Sequence, residues 1–209
     1  MNPYEIAYFA ACYVVGAIPS GYLVTRFSAK KNILEIGWRK TSGSNVFKNV
    51  GKWQGIATVL LDAIKGIFAA WAGVHFGFPG AVAALGALAS LVGNNWSAFI
   101  NFAGGRGLAL YAGAMLVFSW PLLLAALVPF ILTALVWTGS VGTIIGLLLA
   151  IILSPYFNAA STAGLFTLLV LAPIFLKRLS PWRELSLKKP GNIFNRLVFD
   201  DDIVPKKRF

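Results

Sequence analysis

Apolar runs, cut by short polar or glycine-proline breaks, fill most of this chain, and their lengths predict helices that cross a membrane. The first run covers residues 4–23 and carries Gly16 and Pro19 near its end. A second, 54–75, and a third, 81–92, are divided by Gly77-Phe78-Pro79-Gly80. The longest, 107–176, contains no Asp, Glu, Lys or Arg. A soluble domain cannot keep water at its surface with such a stretch, so the expected class is an all-α integral membrane protein. Two crossings in 107–176 would need about 35 residues each, against about 20 for a span, so four are favoured. Breaks at Trp120-Pro121, Thr138-Gly139-Ser140 and Ser154-Pro155 divide the run suitably.

Charge then orients these helices. All 18 Lys and Arg lie within 26–52, at Lys65 and Arg106, or within 177–208. If basic segments are cytoplasmic, the first run crosses once and leaves Met1 outside, and even numbers of crossings follow on either side of Arg106. The expectation is a compact bundle of seven transmembrane helices in a single membrane-embedded domain over 1–209, N-terminus outside and C-terminus cytoplasmic. Five spans, two of them long and broken, is the alternative. Trp53, Trp71, Trp120, Trp137 and Trp182 fall near the ends of these runs, as an aromatic belt requires. The run 4–24 is too long for a signal-peptide core and has no basic leader, so it reads as a retained span.

Composition refines the picture in two places. The net charge of +11 suggests nucleic acid, but the cations flank apolar runs instead of covering a folded face. They suit anionic membrane lipid or phosphate instead. Cys12 is the only cysteine, which excludes a disulfide framework and a cysteine zinc site.

The chemistry must then come from the basic segments and the few polar residues between helices. Residues 35–51 join small hydroxyl and glycine residues to Arg39, Lys40 and Lys48, a combination that can fold around a phosphate or simply rest on lipid headgroups. The segment Phe102-Ala103-Gly104-Gly105-Arg106-Gly107 sets three glycines around one cation before an uncharged helix. Consecutive backbone N–H groups beside an arginine form an anion cradle; the alternative is a permissive turn with a cation that sets topology. The Walker spacing is absent. Asp62 and Lys65, three apart inside an apolar span, are expected to face the bundle interior and pair, locking the helix. His75 falls at the opposite, outer end of that helix. The tail 188–197 mixes amides with cations, as an amphipathic membrane-skimming segment or a site contributor would.

Taken together, these motifs resemble the acyl-phosphate-dependent glycerol-3-phosphate acyltransferases of bacteria, the PlsY family. Gly16-Ala17-Ile18-Pro19-Ser20-Gly21-Tyr22 is similar to the family's opening G-S-I-P-x-G-Y. Residues 37–51 align without gaps on its first motif, Leu61-Asp62-Ala63-Ile64-Lys65-Gly66 meets L-D-x-x-K-G, and 93–99 with 102–107 fall on its second motif. Ser140-Val141-Gly142-Thr143 echoes the family's S-L-G-S step, and 192–197 its closing N-I-x-R-L.

The resemblance implies transfer of a fatty acyl group from acyl phosphate to the carbon-one hydroxyl of glycerol-3-phosphate or a similar anionic acceptor. The product is lysophosphatidic acid, with neither metal nor coenzyme A. It further implies a site facing the cytoplasm in the bacterial inner membrane. On this reading Arg106 and Lys48 neutralise the two phosphates, and Gly104, Gly105 and Gly107 serve the acyl phosphate. Ser42, Ser44, Asn45, Ser140, Thr143 and Asn192 orient the acceptor, and Arg196 is a further substrate-binding residue. Orientation and charge stabilisation are then the main catalytic contributions, since the acyl donor is already activated.

The chain departs from the pattern where Trp38, Arg39 and Lys40 replace Ser, Gly and Asn, Lys48 replaces Arg, Asn94 replaces His, and Arg106 replaces Lys. Asn94, at the catalytic position, cannot accept a proton at neutral pH, so the departing phosphate is the simplest base. These changes cluster in the site and spare the scaffold. A non-catalytic relative that binds or presents an anionic lipid is therefore the second reading. A CDP-alcohol phosphotransferase is disfavoured, because its metal needs several carboxylates on helices and the bundle offers Asp62 alone.

Overall fold

In the computed structural model the described residues, 1–179 and 190–199, are helical and contain no strand. They group into two compact units, Met1–Phe118 and Ser119–Phe209.

The first unit opens with α1, Pro3–Ala17, started by a capping box in which Asn2 and Glu5 bond each other's backbone N–H at 2.8 and 2.9 Å. Pro19 cannot continue the backbone ladder, so the chain breaks there and resumes as α2, Ser20–Ala29. The short α3, Gly43–Asn49, leads into α4, Lys52–His75, the longest helix. The break at Gly77 to Pro79 separates it from α5, Gly80–Asn95, which runs three residues past the expected end. The unit closes with α6, Leu108–Phe118.

Helix α4 shows why the sequence pattern reads as membrane. Its inward face carries Gly55, Thr58, Asp62, Lys65, Gly66, Ala69 and Gly73, all buried. Its outward face carries Ile56, Leu60, Ile64, Phe68 and Trp71, all exposed. Small and polar inside, bulky and apolar outside, is the reverse of a water-soluble helix. In hydrocarbon the apolar side chains gain nothing by meeting each other, so packing rests on close backbone approach and on internal polar contacts. Gly66 and Gly113 supply that approach between α4 and α6: a Cβ on Gly66 would strike the Leu110 carbonyl, and one on Gly113 the Ala63 carbonyl.

The second unit contains α7, Trp120–Val136, α8, Gly139–Leu153, a π-turn at Ala160–Gly164 leading into α9, Leu165–Arg178, and α10, Pro190–Phe199. Thr138 caps α8 by accepting the Ser140 N–H at 3.3 Å. Gly142 and Gly146 let α8 lie directly against the Pro129 and Ala126 carbonyls of α7. The helices therefore stop at the glycine, proline and serine breaks read in the sequence.

Among the described residues, four helices are long and apolar enough to cross a bilayer: Pro3–Ala29 taken through its break, Lys52–His75, Gly80–Ile100 and Ala160–Arg178. The stretch between Arg106 and Lys177 holds four helices, three of which (α6, α7 and α8) are shorter than the about 20 residues of a straight crossing. Trp53, Trp71 and Trp120 are exposed, whereas Trp137 packs on Phe199 with ring centroids 5.1 Å apart. Trp182 lies outside the described residues.

Candidate anion site

The glycine segment is shaped by the end of α5. After Asn95 the chain turns through a 3-10 turn at Ala98–Ile100, where Ser97 accepts the Phe99 N–H at 3.3 Å, and Asn101 and Phe102 take left-handed conformations. This reversal brings Gly104 and Gly105 back against the last turn of α5. A Cβ on Gly104 would collide with the carbonyls of Asn94 and Asn95, and Gly107 has φ +76°. The Gly105 N–H donates to the Asn94 carbonyl at 3.0 Å, and the Gly104 carbonyl accepts from the Thr41 N–H at 3.2 Å. Part of the backbone expected to face an anion thus stitches the segment to α5 and to the basic loop.

What this frees is a side chain. Lys65 reaches Asp62 at 2.7 Å, as the spacing anticipates, and both are buried. Its ammonium also donates to the Ile18 carbonyl (2.9 Å), the Gly16 carbonyl (3.3 Å) and Asn94 Oδ1 (2.8 Å). Lys65 thereby satisfies the carbonyls released where Pro19 breaks the first helix, and it fixes the Asn94 amide. With Oδ1 turned to the cation, Nδ2 must face away. That nitrogen is buried without a hydrogen-bond partner. It lies 3.1 Å from where a Gly105 Cβ would sit, a spot also bordered by Thr41 Oγ1 at 3.6 Å and Ser42 Cα at 3.8 Å. A buried donor left unpaired costs about 1–3 kcal/mol, so this one is suited to an acceptor that arrives with a ligand.

The basic loop is held from inside by Asn45, which is fully buried. Its Oδ1 accepts the Trp38 N–H (3.1 Å) and Asn49 Nδ2 (2.9 Å), while its own Nδ2 donates to the Lys40 and Ile36 carbonyls (2.8 and 3.1 Å). Asn45 therefore shapes the loop with the amide that sequence reasoning gave to the acceptor. Ser42 is buried with Oγ 3.4 Å from Ser44 Oγ, and Ser44 is exposed. Above this scaffold the Trp38 ring carries two cations: Lys48 Nζ lies 5.2 Å, and the Arg106 guanidinium carbon 5.0 Å, from its centroid. Lys48, Arg106, Trp38, Thr41, Ser42, Asn94 and Gly105 so belong to one corner of the first unit. His75 stacks on Trp71 at the far end of α4 and takes no part.

In the second unit, Ser140 sits in the first turn of α8, and its carbonyl accepts Arg178 Nη2 at 3.0 Å. Arg178 Nη1 also holds the Leu197 carbonyl at 2.6 Å, tying α10 to α8 and α9. Thr143 donates its hydroxyl to the Gly139 carbonyl of its own helix (2.8 Å). Arg196 is buried and donates to the Leu179 carbonyl (3.3 Å). Asn192 lies in α10, with its side chain outside the described residues.

Sequence reasoning missed Thr41, and it missed the link from Lys65 to Asn94. Thr41 carried a signal, a hydroxyl between Lys40 and Ser42. The Lys65 link carried none, because 29 residues separate the partners.

The chain matches the family model described as Glycerol-3-phosphate acyltransferase over residues 6–185. It is 34% identical over 193 residues to glycerol-3-phosphate acyltransferase 1 of Dehalococcoides mccartyi, covering 89% of this chain and 92% of that protein. It is 35% identical over 126 residues to the glycerol-3-phosphate acyltransferase of Gloeobacter violaceus, covering 58% of this chain and 62% of that protein. In fold it is similar to the crystal structure of PlsY, an integral membrane glycerol 3-phosphate acyltransferase, in its glycerol 3-phosphate form. There the TM-score is 0.76 at 20% identity, over 86% of this chain and 90% of the other.

Proposed function

The chain belongs to the glycerol-3-phosphate acyltransferase family, and from that premise we propose how its own residues carry the reaction. It is a membrane acyltransferase of phospholipid synthesis, moving a fatty acyl group to glycerol-3-phosphate. We take the donor to be an acyl phosphate. The acceptor's carbon-one oxygen attacks the acyl carbonyl carbon, and the bond from that carbon to the phosphate oxygen breaks. The hydroxyl proton leaves with the phosphate, so lysophosphatidic acid and inorganic phosphate are the products. No protein base is needed, which agrees with an asparagine at position 94.

The observation that carries this reading is the unpaired Asn94 Nδ2 beside Gly105, next to two cations on one ring. The amide supplies a fixed donor for an oxygen of the acyl phosphate, where negative charge grows during attack. Arg106 holds a phosphate with two parallel N–H groups, and Lys48 adds a point charge. Gly104, Gly105 and Gly107 allow the segment to lie close enough for this donor to be reached, and Ser42 and Ser44 border the same corner. Asn45 maintains the loop. We assign Ser140, Thr143, Asn192 and Arg196 to the acceptor on the resemblance, and Ser140→Ala with a raised KM for glycerol-3-phosphate checks that assignment.

We further read the chain as crossing a bacterial inner membrane seven times, with the basic loop and the site on the cytoplasmic side. The charge map supports this. Cysteine introduced at Lys31 should be labelled from inside, and at Gly77 from outside.

The deciding assay supplies purified protein in detergent with acyl phosphate and glycerol-3-phosphate and follows lysophosphatidic acid. Folded protein without turnover would sink the acyl-phosphate reading. Phosphate binding without turnover would favour the non-catalytic relative.

A further inference from the structure

Trp38 stands where the resembling family keeps a serine, and nothing in the reaction calls for an indole. Its setting is nonetheless built. The backbone N–H is pinned by the buried Asn45 amide at 3.1 Å, and the flanking Gly37 and Arg39 both take left-handed conformations, φ 57° and 53°. The ring then sits within cation–π range of both Lys48, from α3, and Arg106, from the glycine segment before α6. Two like charges drawn to one place repel each other, so something must hold them. An aromatic face attracts a cation through its quadrupole and leaves the charge in place.

We infer that Trp38 is a positioning residue that preorganises Lys48 and Arg106 for a phosphate group. The inference rests on the reading that this corner binds phosphate-bearing substrates. It also accounts for two departures as one set: the indole and the arginine at 106. The planar guanidinium stacks on a ring better than an ammonium does, so the change to arginine at 106 and the change to tryptophan at 38 support each other.

The test measures inorganic phosphate binding at constant ionic strength, by intrinsic fluorescence, in the wild type and in Trp38→Phe, Trp38→Leu and Trp38→Ser. All are first shown to run as folded protein in detergent. Phosphate should change the emission of the wild type and not of Trp38→Phe, whose affinity is then read by equilibrium dialysis. At about 0.5–1 kcal/mol for each cation–π contact, losing both weakens phosphate roughly 5- to 30-fold. Trp38→Leu and Trp38→Ser should show that loss as a rise in KM with a smaller change in kcat, while Trp38→Phe stays within about threefold of wild type.

In a Lys48→Met background the effect of Trp38→Leu should shrink, since one of the two cations is already gone. A ring that only fills space would show no such coupling. The inference is overturned if leucine binds phosphate as well as phenylalanine does, or if serine binds it more tightly. Should Trp38→Ser not fold, the leucine and phenylalanine variants decide. The binding arms stand apart from turnover, so a protein that binds phosphate through Trp38 without making lysophosphatidic acid refutes the acyltransferase reading alone.

Discussion

Two buried cationic clusters, one in each unit, use the same residue types for different ends. In the second unit Arg178 and Arg196 give N–H groups to the Ser140, Leu197 and Leu179 carbonyls and join three helices. In the first unit Lys65 gathers Asp62, two carbonyls at a helix break and Asn94 Oδ1. The first cluster also joins helices, yet it leaves one amide donor unpaired beside a glycine. A low-dielectric interior makes every unmade hydrogen bond costly. The second unit's guanidiniums spend N–H groups on carbonyls, whereas the Lys65 cluster leaves the Asn94 nitrogen open, the donor that our proposal gives to the ligand.

The largest effect should come from Lys65→Met, which leaves Asp62 without its cation and removes the Lys65 bonds to the carbonyls at the break. Unpairing a buried ion pair costs about 3–5 kcal/mol, so the detergent-solubilised protein should melt far earlier, with Asp62→Asn/Lys65→Met recovering part of the loss. Arg106→Ala should lower kcat/KM by about 100- to 1,000-fold, as removal of a transition-state charge partner does. A near-normal rate would take Arg106 out of the site. Arg178→Met should cost about 1.5–3 kcal/mol, read by the same melting assay, because charged hydrogen bonds to carbonyls are lost. Gly105→Ala sets a methyl about 3 Å from Asn94 Nδ2; it should reduce kcat about tenfold, or about 1.4 kcal/mol, with little change in stability. Ser44→Ala, at an exposed position, should stay within about 0.5 kcal/mol of wild type in stability and mark the floor of the series.

The helix boundaries were readable because each depends on local chemistry. Gly77 to Pro79 ends the second run and Thr138 caps a helix with its own hydroxyl, whereas the first run, read as one span, divides at Pro19 into α1 and α2. The Asp62–Lys65 pair was readable for the same reason, since three residues along a helix bring side chains onto one face. The role of Asn45 was not. Its polar side chain in a basic glycine-containing loop suits a ligand as well as it suits the loop's own backbone, and the sequence weighs neither. The glycines were half legible: their number marks a close approach, but whether to a ligand or to the carbonyls of α5 depends on how the chain returns after Ala98–Ile100.

By itself the sequence determined that this is a helical membrane protein, where its helices break, and which family its motifs resemble. Those properties follow from hydropathy, from backbone-breaking residues and from short-range spacing. The tertiary structure decided what each polar group does once its neighbours are in place. It turned Asn94 so that a nitrogen faces Gly105, spent the Asn45 amide on the loop, and set Lys48 and Arg106 on one indole. A hydrogen bond or a ring contact needs distance and direction between residues far apart in the chain, and only folding supplies both.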